Sequence, residues 1–192
     1  AQTTHFREQA RDWIREAVNA GDDHKIIFCG PGATASINKL IDILNIRLPA
    51  DLNTQYSLLN SIPESERPVV FLGPYEHHSN ELPWRESIAT VVVIPLTDEG
   101  GLDLLVLDEK LKGFSGRPLK IGSFSAASNV TGLRTDVDRV SHLLHSHDAL
   151  ALWDYAAAGP YVDIDVAGNN DHCDDNSKDA VFISPHKLIG GP

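Results

Sequence analysis

The sequence predicts an α/β fold: a three-layer sandwich in which a mainly parallel sheet carries helices on both faces. Three observations point there. Six short apolar segments, at roughly 25–29, 68–73, 89–95, 119–125, 149–154 and 180–184, read as strands. Helical patterns lie between most of them, and such alternation builds parallel sheets covered on both sides. The residues richest in chemistry follow the C-terminal ends of these segments, where open α/β sheets bind ligands.

The chain has 192 residues, enough for one domain with its own core. Hydrophobic residues make up 42% of it and the mean hydropathy is -0.18, values of an ordinary soluble protein. The net charge of -11 argues against nucleic acid or an anionic membrane as the main partner. It leaves room for a local basic pocket. No apolar run approaches the ~20 residues of a membrane span. The N-terminus, Ala1-Gln-Thr-Thr-His-Phe, lacks a signal-peptide core. Two cysteines, Cys29 and Cys173, are too few for a disulfide framework, so a reducing cytoplasm is the expected location. There is no Met, and the chain stops at Gly190-Gly191-Pro192 directly after its most informative stretch. Both features suggest an excerpt of a longer protein.

Residues 1–24 read as an N-terminal helical segment and 25–192 as the main domain. Within 5–20, Phe6, Ala10, Trp13, Ile14 and Ala17 fall on one helical face, which makes Trp13 a core or docking residue. Lys25 to Cys29 reads as a buried strand. The turn Gly30-Pro-Gly-Ala-Thr-Ala-Ser that follows opens a helix carrying Ile37, Leu40, Ile41 and Leu44. Free N–H groups and the positive end of the dipole suit a phosphate there. Gly30-x-Gly32-x-x-Ala35 also matches the dinucleotide fingerprint, which requires a second strand ending near an acid. Asp51 stands at the right distance, but helix and Leu-Pro-Ala precede it. A plain helix cap is the bland alternative.

Leu52 to Ser61 has the pattern of a helix on the sheet face. After the strand Pro68–Gly73 comes Pro74-Tyr-Glu-His-His-Ser-Asn-Glu-Leu-Pro-Trp84. Adjacent residues at a strand end point in opposite directions, so His77 and His78 are not expected to share one metal ion. Ala89 to Pro95 is the third strand, Leu102 to Leu111 a helix, and Leu119 to Ser125 the fourth strand, leading into Ala-Ala-Ser-Asn-Val-Thr-Gly132. Thr135 to His147 reads as a helix. Its His142, His145 and His147, like Asp171, His172, Cys173 and Asp174 further on, have zinc-like spacing without the paired ligand pattern of a structural site. Both sets are expected to be solvated surface, and Gly168 to Lys178 a polar loop insertion. No metal is expected. The fifth strand, Ala149 to Asp154, ends on a carboxylate.

The last stretch, Ala180 to Pro192, runs from a short strand into a turn bearing Ser184, His186 and Lys187. A lysine held partly out of water at a strand end can lose its proton and attack an aldehyde.

Five of these stretches, in chain order, resemble the pyridoxal-phosphate enzymes of the class V aminotransferase and cysteine desulfurase family. They are Gly32-Ala-Thr-Ala-x-Ile-Asn38, Glu76-His-His-Ser-Asn-x-x-Pro-Trp84, Ser128-Asn-Val-x-Gly132, Asp154, and Ser184-Pro-His-Lys-x-x-Gly-Gly-Pro192. The resemblance implies the large domain of the fold-type I architecture, with its final sheet strand and C-terminal small domain absent. It implies pyridoxal 5'-phosphate as cofactor, an amino acid as substrate and a homodimer as the full-length form. The backbone near Ala33 and the hydroxyl of Thr34 would bind the phosphate, together with Ser184 and His186. His77 would stack on the pyridine ring. Asn129 would bond the ring hydroxyl or the substrate carboxylate. Asp154 would hold the ring nitrogen protonated. Lys187 would form the Schiff base and then serve as general base. The family places a Gln three residues after that Asp, and here Ala157 stands in its place. Transamination, desulfuration and β-elimination therefore all stay open. So do a non-catalytic relative, a truncated chain that keeps only the fold, and a nucleotide-binding domain using Gly30–Ala35.

Overall fold

The computed structural model describes residues 2–169 and 174–191. Its five strands are β1 (Val69–Leu72), β2 (Thr90–Val93), β3 (Lys120–Ser125), β4 (Ala149–Asp154) and β5 (Ala180–Phe182). They form one sheet in the order β2-β1-β3-β4-β5, and every pairing is parallel. In register, Ser123 of β3 faces Leu72 of β1, and Ser125 faces Asp154 of β4. The six helices are α1 (Gln2–Ala17), α2 (Gly32–Ile43), α3 (Ala50–Tyr56), α4 (Leu82–Arg85), α5 (Leu104–Gly113) and α6 (Val137–His145).

Strand side chains alternate between faces, and each face has its own core. Val69, Phe71, Phe124, Ala151 and Trp153 pack against Leu107 and Leu111 of α5 and Val140 and Leu144 of α6. Val70, Leu72, Ile121 and Leu152 pack against Ile37 and Ile41 of α2 and Trp84 of α4. Three layers follow directly: helix pair, sheet, helix pair. Asp103 and Asp136 cap α5 and α6 by accepting backbone N–H groups of the first turn. α6 sits so close to β3 that a Cβ at Gly122 would meet Leu144 Cδ1 at 2.5 Å. Only glycine admits that approach.

Three expectations require correction. The segment Lys25–Cys29 joins no strand of the sheet. Ile27 and Phe28 are 55% and 46% exposed, and the Arg11 guanidinium lies over the Phe28 ring at 5.2 Å. Its composition suits a strand, but a ladder needs a neighbour, and the segment pairs with neither open edge, β2 or β5. The expected helix over Leu52–Ser61 breaks at Ser57, whose φ of 51° is left-handed; α3 ends there and a separate one-turn helix spans Leu58–Ser61. Trp13, expected to be a core or docking residue, belongs to neither core and is 69% exposed, which overturns the core reading and leaves the docking one. α1 has no buried residue, and what ties its end down is polar: Val18 and Asn19 carbonyls accept from Val166 and Ala167. No helix among the described residues is long and apolar enough to cross a membrane.

Candidate active site

The C-terminal ends of β3, β4 and β5 converge on a cavity of about 250 Å³. Ala33, Thr34, His77, Asn129, Asp154, Ser184, His186 and Lys187 all line it. Five segments far apart in sequence are thus brought to one rim, as the parallel topology dictates. The structure collects every nominated residue and leaves none elsewhere.

The wall formed by the start of α2 and the turn after β5 is tightly joined. Gly32 has a φ of +66°, and a Cβ there would meet His186 Cε1 at 2.8 Å and Ser184 Oγ at 3.0 Å. The N–H of Ala33 donates to Ser184 Oγ at 3.0 Å. Ser184 is buried, and its own hydroxyl proton remains available to the cavity. His186 and Lys187 are exposed on a one-turn helix, Pro185–Lys187. The first turn of α2, the hydroxyls of Thr34 and Ser184 and the imidazole of His186 make a donor set suited to a phosphate.

On the next wall, Thr34 Oγ1 lies 2.6 Å from Ser79 Oγ, which is 2.9 Å from His77 Nδ1. The Ser79 N–H donates to the same nitrogen at 3.2 Å. Nδ1 is therefore an acceptor, and a neutral His77 ring carries its proton on Nε2. His78 is exposed and does not line the cavity. Asn129 stands exposed on the rim, in the turn after β3.

Asp154 forms the floor, 4% exposed. One carboxylate oxygen accepts the Ala156 N–H at 2.8 Å; the other is not engaged in any hydrogen bond among the described residues. Burial pushes its pKa up, while the Ala156 N–H and the charges of Lys187 and His77 pull it back. Beside it lies a second, half-buried carboxyl, Glu76, its pKa also raised by desolvation and, to a smaller extent, by the charge of Asp154. Glu76 receives the N–H and hydroxyl of Ser125 and an amide N–H of Asn80. Sequence reasoning gave Glu76, Ser79 and Ser125 no role. Glu76 was visible as an acid just after a buried strand, but its partner on β3 is 49 residues away.

The dinucleotide reading of Gly30–Ala35 loses its framework. No strand precedes the loop in the sheet, and the next strand after α2 is β1, beyond α3. Of the paper zinc sets, His145 bonds Asp179 and the Asp175 carbonyl, and His147 bonds Asp108. Asp171, His172 and Cys173 lie outside the described residues, and Asp174 is exposed. Among the described residues no group of three His, Cys, Asp or Glu could hold a metal ion.

The fold is shared with known proteins. A probable cysteine desulfurase of Halalkalibacterium halodurans is 28% identical over 187 residues, covering 95% of this chain and 39% of the relative. One of Haemophilus influenzae is 29% identical over 195 residues, covering 99% of this chain and 38% of the relative. The chain thus spans about two-fifths of the length of the curated relatives it matches. Among solved structures, the apo cysteine desulfurase of Thermococcus onnurineus NA1 superposes with a TM-score of 0.72 at 22% identity, over 100% of this chain and 41% of that one. The cysteine desulfurase CsdA of Escherichia coli gives a TM-score of 0.62 at 26% identity, over 86% of this chain and 37% of that one. The family model for aminotransferase class-V matches residues 1–192, and the chain belongs to that family.

Proposed function

We propose that residues 25–192 are the cofactor-binding large domain of a pyridoxal-phosphate enzyme acting on an amino acid, preceded by an N-terminal helix at 1–24. The observation that carries this reading is the single cavity lined by Thr34, His77, Asp154, Ser184 and Lys187. The residues present fit the group. Gly32 leaves a cradle that a Cβ would fill, flanked by the donors of Ser184 and His186. A buried carboxylate with one free oxygen faces the same space.

Bound there, pyridoxal phosphate supplies an electron sink for charge developing at the substrate's α-carbon. The start of α2, Thr34, Ser184 and His186 would hold its phosphate. The free oxygen of Asp154 would hold a proton at the ring nitrogen, and the burial of Asp154 would strengthen that contact by removing competing water. His77 would present its flat ring to the cofactor ring. Asn129 would orient the ring hydroxyl or the substrate carboxylate from the rim. Lys187, which lines the same cavity, would hold the aldehyde end of the cofactor, and its amine would take the substrate α-proton onto Nζ.

Transamination, desulfuration and β-elimination share these steps, so the reading extends to that set and not to one member. Turnover, dimer formation and a cytoplasmic setting belong to the longer protein that relatives of this length suggest. A second reading, a relative that keeps the fold without catalysis, is favoured by one observation: Ala157 lines the cavity where the family carries a Gln. Titration with pyridoxal phosphate tests the main reading. A saturable visible absorbance band that Lys187→Ala abolishes is the expected result. A band unchanged in Lys187→Ala, or none in wild type, refutes it.

A further inference from the structure

Behind the cleft floor lies a fully satisfied polar network that the steps above do not use. Its logic starts at Trp84. The indole N–H can only donate, and it donates to Asn80 Oδ1 at 3.3 Å. Ser123 Oγ donates to the same oxygen at 2.6 Å. The amide of Asn80 is thereby oriented, and its NH₂ group faces Glu76 Oε2 at 2.8 Å and the Ser123 carbonyl at 3.2 Å. Glu76 must accept there. Its other oxygen, Oε1, takes the Ser125 N–H at 3.0 Å, and the Ser125 hydroxyl reaches Oε2 at 2.7 Å. The remaining polar group of Ser125, its carbonyl, accepts from Thr135 Oγ1 at 2.8 Å. Every polar group of Ser125 is thus pinned. Ser125 lines the cavity, is the register partner of Asp154, and precedes Ala126, whose N–H donates to the Asp154 carbonyl at 3.0 Å.

We propose that Glu76 is a positioning residue of the cleft: its carboxylate, through Ser125, fixes the turn that bears His77 to the end of β3 and so sets His77 and Asp154 relative to each other. This rests on the functional reading above. Two fixed N–H donors meet the two oxygens of Glu76 from different sides. A carboxylate can accept both; an amide cannot, because one end of it is a donor. Glu76 also places a second carboxylate behind Asp154, with Lys187 and His77 as the titratable groups across the cleft. Negative charge in a low-dielectric floor favours retention of a proton in front of it.

The test compares wild type, Glu76→Gln and Glu76→Asp in the longest natural form of the protein, with pyridoxal phosphate as the probe. Folding is checked by far-ultraviolet circular dichroism and melting. Two readouts follow: the dissociation constant, and the pH midpoint of the bound cofactor's visible band. Glu76→Gln is expected to remain folded, to bind about tenfold more weakly, the scale of one lost charge-assisted hydrogen bond, and to move the midpoint to lower pH. Glu76→Asp, which keeps the charge on a shorter arm, is expected to recover part of the midpoint but not the affinity. If Glu76→Gln matches wild type in both readouts, or loses affinity with the midpoint unmoved, Glu76 serves the fold alone and the inference fails. Wild type that binds no pyridoxal phosphate removes the functional reading and this inference with it; the two failures are therefore distinguishable.

Discussion

The N–H of Ala33 donates to Ser184 Oγ at 3.0 Å, joining residues 151 positions apart in the chain. The contact closes one wall of the cleft by tying the first turn of α2 to the turn that carries Lys187. It is buried, so neither group has water as a substitute partner.

Gly32, the residue before Ala33, sets how closely those two turns approach. Gly32→Ala puts a side chain at a φ of +66° and drives its Cβ to 2.8 Å from His186 Cε1 and 3.0 Å from Ser184 Oγ. The left-handed backbone alone costs about 1–2 kcal/mol. The expected outcome is a lower melting temperature together with weaker binding of pyridoxal phosphate, measured by thermal unfolding and by titration. Unchanged affinity would mean that this wall does not hold the phosphate.

Gly122 makes the parallel case inside the core, away from the cleft. Gly122→Ala forces a methyl group against Leu144 Cδ1 and the Phe124 ring. Overpacking of this kind destabilises by about 1–3 kcal/mol. Leu144→Ala alone, which empties a buried site, should cost about 2–5 kcal/mol. The double variant should be more stable than the sum of the two, because the new methyl occupies part of the space Leu144 vacates. Urea unfolding of the four proteins measures the coupling, and strict additivity would place α6 further from β3 than described.

His145 contributes locally to the pH dependence of stability. The pKa of His145 is raised, first by its hydrogen bond to Asp179; burial opposes this, and the charges of Asp179 and Asp175 add to it. A raised folded-state value means the protonated ring is favoured by folding. That contribution is complete below the ordinary imidazole value of 6.5 and is lost as pH rises through the folded-state value. His145→Gln should therefore be less stable than wild type at acid pH, with the gap closing as pH increases. Urea midpoints collected across pH test this, and parallel curves would contradict it.

Asp154→Asn separates holding the cofactor from tuning it. The residues proposed to hold the phosphate, Thr34, Ser184 and His186, are untouched by this change, so binding should persist. A neutral amide cannot hold a proton at the ring nitrogen, so exchange of a substrate α-proton should slow by roughly a hundredfold or more, the scale of a lost proton-positioning group. Exchange at the wild-type rate would reduce Asp154 to a structural carboxylate.

Much of this was legible in the sequence because periodicity and local motifs carry it. The strands at 68–73, 89–95, 119–125 and 149–154 announce themselves as apolar runs, and the order of motifs along the chain places their ends on one rim. What failed depended on neighbours. Lys25–Cys29 has strand composition but no partner in the sheet, and Trp13 has helical spacing but lies in neither core. What was missed depended on contacts across the fold. Glu76 reads as an acid in a loop until β3 brings Ser125 to it, and Gly122 is one more residue of the 119–125 strand until α6 lies over it. The break at Ser57 had no signal at all, since serine is not a residue that demands a left-handed backbone.

The most direct measurement is chemical mapping of the lysine. Protein saturated with pyridoxal phosphate is reduced with borohydride, digested, and the modified peptide identified by mass. A cavity that brings Asp154, His77 and the Ser184–Lys187 turn together requires the adduct on Lys187. An adduct on Lys25 or Lys178, or none, would contradict the assignment of this cleft.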